Sequence, residues 1–179
     1  YDLRAALNDM LVKQLFLEER QALSKRPLNP LAHSAVRDHA DKGKRGEVIA
    51  LHTDQIQTLS IGLSKLDQLA DDFRAAGIPR KPVLMILCEE ASVADLVYEH
   101  FLTREDNKGN RLNKENLLLA HSELTKEKHG YTIDDIRGNP ADPSIPTFNH
   151  IDDDNHPLRI VISVLMLREG FDKTNICVI

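Results

Sequence analysis

The sequence predicts an α/β fold, a parallel sheet with flanking helices, preceded by a helical lead-in. Three observations predict it. The runs Val83 to Cys88, Leu117 to His121 and Arg159 to Val164 are apolar, too short for helices, and typical of strands covered on both faces. Helical periodicity separates the first two runs, and parallel neighbours need such crossover connections. The 179 residues are 41% apolar and 28% charged, the composition of one ordinary globular domain.

The elements follow in chain order. Leu3, Leu7, Met10, Leu11 and Leu15 recur at helical spacing among charged residues, predicting an amphipathic helix within 2–24 that Pro27 and Pro30 end. Residues 31–47, with Lys42, Lys44 and Arg45 among glycines, read as a connection, so we divide the chain into a lead-in and linker (1–47) and the sheet domain (48–179). Ile56, Leu59, Leu63, Leu66, Leu69 and Phe73 mark a helix that Gly77 and Pro79 stop. After the first strand, Ser92 and Asp95 fit a capping box, and Val93, Leu96, Val97 and Phe101 line one helix face. Glu105 to Glu115 read as a surface loop and Thr132 to Gly138 as a short helix. Four of the eight prolines and Asp152-Asp153-Asp154 fall in 139–157, which predicts an insertion or lid. Beyond the third strand, Leu165 to Lys173 form a turn or short helix and Asn175 to Ile179 a fourth strand.

Composition excludes several classes. No apolar run approaches the roughly 20 residues of a membrane span. A net charge of −5 gives no general attraction to polyanions, so any such contact is local. Cys88 and Cys177, each inside an apolar run, predict buried reduced thiols and a cytoplasmic protein. Tyr1 opens in a helical pattern and the chain finishes inside the run Ile176 to Ile179, which predicts a piece of a longer polypeptide.

Sites in open parallel sheets collect at the carboxyl ends of the strands. That selects Glu89 and Glu90, then His121 and Ser122, then Leu167 to Asp172. The adjacent acids read as a solvated helix-start turn. His150, Asp152, Asp153, Asp154 and His156 offer metal-ligand chemistry, but no helix fixes their direction, so no metal site is assigned. His121, Ser163 and Asp172 lack the elbow of a hydrolytic triad, and Lys42 to Gly46 lacks P-loop spacing. A Gly-X-Asp turn, Gly170 to Asp172, joins the last two strands and places a carboxylate where it can accept from a sugar hydroxyl or backbone amides.

Ser163 to Ile176 resembles motif V of superfamily 2 helicases and translocases. The wording Ser-Val-Leu-Met-Leu-Arg-Glu-Gly-Phe-Asp is similar to that of the restriction (Res) subunits of type III restriction enzymes and their DEAD/DEAH-type relatives. Pro82 to Phe101 resembles that family's motif IV strand and helix, and Leu117 to Ser122 its strand ending at a His-Gly or His-Ser step. The resemblance covers roughly residues 50–179.

What this implies is the second RecA-like domain of an ATP-dependent DNA translocase and restriction endonuclease, incomplete at its C-terminus. Gly170 and Asp172 match the ATP-cleft positions, and His121, Ser122, Ser163 and Val164 the nucleic-acid track, with Val164 standing where a phosphate-contacting Thr is frequent and Ser163 beside it as substitute. Phe171 replaces a usual Trp and Arg168 a common Thr. ATP and Mg²⁺ are the implied cofactors of the parent protein. Its implied partners are DNA, the first RecA-like domain and a methyltransferase (modification) subunit, with no membrane. Motifs I and II have no match in the chain, so it supplies half a cleft, holds no catalytic residue of its own, and is expected not to hydrolyse ATP alone. The alternatives are a helicase or repair translocase without nuclease, a non-catalytic α/β docking module, and a metal-dependent hydrolase.

Overall fold

The computed structural model describes residues 35–38, 46–106, 108–138, 140–164, 173 and 175–178, all within the unit His33–Ile179. The predicted helix within 2–24, the basic stretch 39–45 and the segment 165–172, with Gly170 and Asp172, lie outside the described residues.

A two-stranded antiparallel ribbon comes first, β1 (Val36–Arg37) with β2 (Val48–Ala50). The linker reading of 31–47 missed β1, whose two residues carry no periodicity. Helix α1 (Thr53–Ala75) follows. His52 caps it: its side chain accepts from the Asp54 amide, while Gln55 accepts from the His52 amide. At the far end Gly77 takes φ 67°, its amide bonds Arg74 O, and the Ile78 amide bonds Phe73 O. This closes the last turn, and only glycine enters that conformation without strain. Leu59, Leu63 and Leu66 form the buried stripe of α1. A Cβ added at Gly62 would meet the δ-carbons of Leu84 at 3.5 Å, so the helix rests directly on the first long strand.

That strand is β3 (Val83–Cys88), followed by α2 (Ala91–Leu102), β4 (Leu117–Ala120), α3 (Lys126–His129), α4 (Ile133–Arg137), β5 (Ile160–Val164) and β6 (Ile176–Val178). The four long-range strands make one sheet in the order β4-β5-β3-β6, and every pairing is parallel. Leu87, Ser163 and Ala120 stand side by side, as do Met85, Val161 and Leu118. Helix α1 packs on β3 and β6, whereas α2 crosses β3, β4 and β5. The result is an α/β fold with a parallel sheet flanked by helices.

Two expectations change and a third narrows. The Ser92/Asp95 capping box does not form: Glu90 is the N-cap of α2, Ser92 Oγ bonds Glu90 Oε1 at 3.0 Å, and Asp95 turns away to other partners. Of the two readings of 139–157, an insertion or a lid, the described residues 140–157 fit a packed insertion. A 3-10 turn, Phe148–Ile151, buries Ile151 completely, and Asp154 accepts from the Lys81 amide and from Asn175 Nδ2. Cys88 is buried but Cys177 is exposed, because successive residues of a strand face opposite ways and its neighbour Ile176 turns inward. Among the described residues no helix is long and apolar enough to cross a membrane.

Candidate functional site

Because all four strands run the same way, the exits of β3, β4 and β5 lie along one rim of the sheet. Residue by residue, that rim is built as follows. Glu89 and Glu90 leave β3 and are tied to the ribbon by Arg37, at 3.6 and 2.8 Å, so they are a paired turn rather than a freely solvated one. His121 leaves β4 with 1% of its surface exposed. Ser122 beside it is exposed. Ser163, near the end of β5, is fully buried, and its hydroxyl has no hydrogen-bond partner among the described residues. Val164 is half-buried. Sheet register brings Ser163 next to Ala120, one residue before His121, so the four predicted track positions lie together at the ends of β4 and β5.

The centre of the rim is Asp95, which the sequence marked only as a helix-capping residue. Asp95 lies in the second turn of α2, and its Oδ1 accepts from His121 Nε2 at 2.9 Å and from His129 Nε2 at 3.0 Å. Its Oδ2 takes the Lys128 ammonium. Burial acts to raise the pKa of this carboxyl, but the bonds from Lys128, His121 and His129 outweigh it and hold the group below the usual carboxylate range. Beside the cluster lies a cleft of about 220 Å³, bounded by Tyr98, Leu102, Lys114, Leu119 and Tyr131.

Two imidazoles and a carboxylate are common metal ligands, and these three ligand atoms fall within 4.8 Å of one another. The hydrogen-bond polarity opposes a metal. His121 Nδ1 accepts the Glu123 amide at 3.2 Å, and His129 Nδ1 accepts the Thr125 amide at 3.2 Å. A ring accepting at Nδ1 carries its proton on Nε2, the nitrogen that faces Asp95. Metal-bound histidines have the reverse arrangement, donating their second N–H outward. Lys128 adds a positive charge on the same carboxylate. The chemistry of the cluster is therefore a set of donors collected by one anion.

The same polarity rules out the hydrolytic triad. Both nitrogens of His121 are already engaged, and the Ser163 hydroxyl bonds nothing among the described residues. The acidic loop is likewise committed. His150 and His156 stack with centroids 3.8 Å apart, and their Nδ1 atoms accept the Thr147 and Leu158 amides. Asp152 holds Lys173 at 3.3 Å, while Asp153 takes the Asn155 amide.

Asp95 escaped detection because its partners lie 26 to 34 positions away and the Ser-x-x-Asp spacing pointed to a local role. No protein-family model, curated protein or solved structure matches the chain.

Proposed function

We propose that the chain is the second RecA-like domain of an ATP-dependent DNA translocase of the type III restriction kind. The observation that carries this reading is topological. From β3 the chain passes through α2 to β4, which lies beyond β5, and from β5 it passes to β6, on the far side of β3. Adjacent strands β3 and β5 thus send the chain in opposite directions, and open α/β sheets bind ligands at the carboxyl ends of such a pair. The motif V-like stretch leaves from the carboxyl end of β5.

In this reading Gly170 and Asp172 line one wall of an ATP crevice. A first RecA-like domain carries the phosphate and Mg²⁺ residues of the other wall, DNA is the track, and a methyltransferase subunit and a cytoplasmic setting complete the assignment. Of the track residues, exposed Ser122 is the side chain that reaches a strand, while His121 and Ser163 support it from the interior. Binding through phosphates makes affinity independent of sequence and sensitive to salt.

The test is DNA-stimulated ATP hydrolysis by the intact polypeptide that carries this chain. Asp172→Ala is expected to lower the stimulated rate roughly a hundredfold, the scale for removing one preorganised polar group from a nucleotide site. An unchanged rate, or a wild type that hydrolyses no ATP with DNA present, overturns the reading.

A further inference from the structure

The stretch Ser122 to Lys128 is tied down twice. Its flanks reach Asp95 through His121 Nε2, His129 Nε2 and Lys128 Nζ. Its own Glu123 and Thr125 amides donate to the opposite nitrogens of the same two rings. Each imidazole is a bridge with a carboxylate on one side and a backbone amide on the other. The bridges share one anchor. Asp95 belongs to α2, which starts at the exit of β3, so a single carboxylate connects the exits of two strands that are not neighbours in the sheet.

Fixing the geometry this way also fixes its strength. With Asp95 ionised, both Nε2–H groups and the ammonium are satisfied, and charge-assisted bonds of this kind are about twice as strong as neutral ones. Without the carboxylate, two buried N–H groups lose their acceptor, the rings are free to turn, and the two amides lose the nitrogens they donate to. Ser122 follows the fully buried His121 directly in the chain and is itself exposed.

We propose that Asp95 is a positioning residue which, through His121, His129 and Lys128, holds Ser122 at the carboxyl rim in the conformation that meets a single nucleic-acid strand. This rests on the nucleic-acid reading given above and names the group that organises its contact.

The experiment uses the ¹⁵N-labelled chain titrated with a single-stranded deoxythymidine oligonucleotide at low salt. In the wild type the Ser122 amide resonance is expected to shift. In Asp95→Ala the Glu123 and Thr125 amides are expected to exchange with solvent roughly tenfold faster and the oligonucleotide affinity to fall roughly tenfold, the scale of one lost hydrogen-bonded anchor. Asp95→Asn, which retains one acceptor oxygen, is expected to recover part of both. Should the alanine variant fail to fold, Asp95→Asn and Lys128→Met give the same two readings. A folded variant with a lower melting temperature but unchanged affinity reduces Asp95 to a structural role and overturns the proposal, leaving the nucleic-acid reading in place. A wild type whose Ser122 resonance does not move overturns the nucleic-acid reading itself, whatever the amides of the variant do.

Discussion

Arg159 and Asp106 meet at 3.1 Å at the amino end of β5, and the other guanidinium nitrogen of Arg159 holds Asp67 of α1. Both carboxylates are largely buried. Burial acts to raise the pKa of Asp106, but the Asn110 and Lys108 amides, the Asn110 side chain and Arg159 overcome it and keep it below the usual range. One planar fork thus ties α1 and the turn after α2 to the sheet. Arg159→Ala removes the guanidinium shared by two largely buried carboxylates and is expected to cost about 3 kcal/mol in urea unfolding. Arg159→Lys recovers little of it, since an ammonium cannot span both partners as a fork does. A loss below about 1 kcal/mol, the scale of an exposed pair, would refute this assignment.

The histidine polarity at Asp95 predicts that His121 and His129 are both Nε2–H tautomers, readable in long-range ¹H–¹⁵N spectra. Added Zn²⁺ is expected to leave the melting temperature unchanged. Zinc-dependent stabilisation that a chelator reverses contradicts the polarity argument, since a metal bound to the native state raises its stability by mass action.

Much of the scaffold was legible from the residues. Val83 to Cys88, Leu117 to Ala120 and Ile160 to Val164 are strands because continuous apolar runs of that length suit sheets covered on both faces, and their parallel pairing followed from the crossovers between them. The order β4-β5-β3-β6 was not legible, since no local pattern states which strands become neighbours. Helix α3 was missed because Lys126 to His129 are all polar and make one turn, stabilised by the Thr125 hydroxyl accepting from the Lys128 amide. At the rim, the strand-end rule found His121 and Ser122 but not Asp95, where a local capping pattern competed with partners supplied by the tertiary fold.

Acidification is expected to weaken the fold in two steps. Burial, then the neighbouring His150 and Lys81, hold His156 below its ordinary value of 6.5, and burial with Arg104 does the same for His100. Protons therefore bind the unfolded chain first. Stability from these groups is complete above pH 6.5 and is lost as pH falls through their lowered values. Asp95 and Asp106, held below 3.8, contribute above that pH and are lost beneath it. Melting temperatures recorded from pH 8 downward test this (roughly two units of pH span the histidine step). His100→Gln with His156→Gln is expected to flatten the first step, and a melting temperature that rises on acidification contradicts it.

The two cysteines should separate by reactivity. Burial, aided by Glu89, pushes the Cys88 thiol up to about 12, whereas Cys177 is exposed. Thiolate is the reactive form, so a disulfide reagent is expected to titrate one thiol in the native protein and the second only after denaturation. Cys177→Ser should abolish the native reaction. Two equally fast thiols would contradict the burial of β3.

Whether residues 165–175 form a wall of an ATP crevice is read by photolabelling the intact polypeptide with an ATP analogue that carries its reactive group on the ribose, followed by peptide mapping. Label is expected between Leu165 and Asn175, displaced by unmodified ATP. Specific labelling that omits this segment would contradict the ATP-crevice reading.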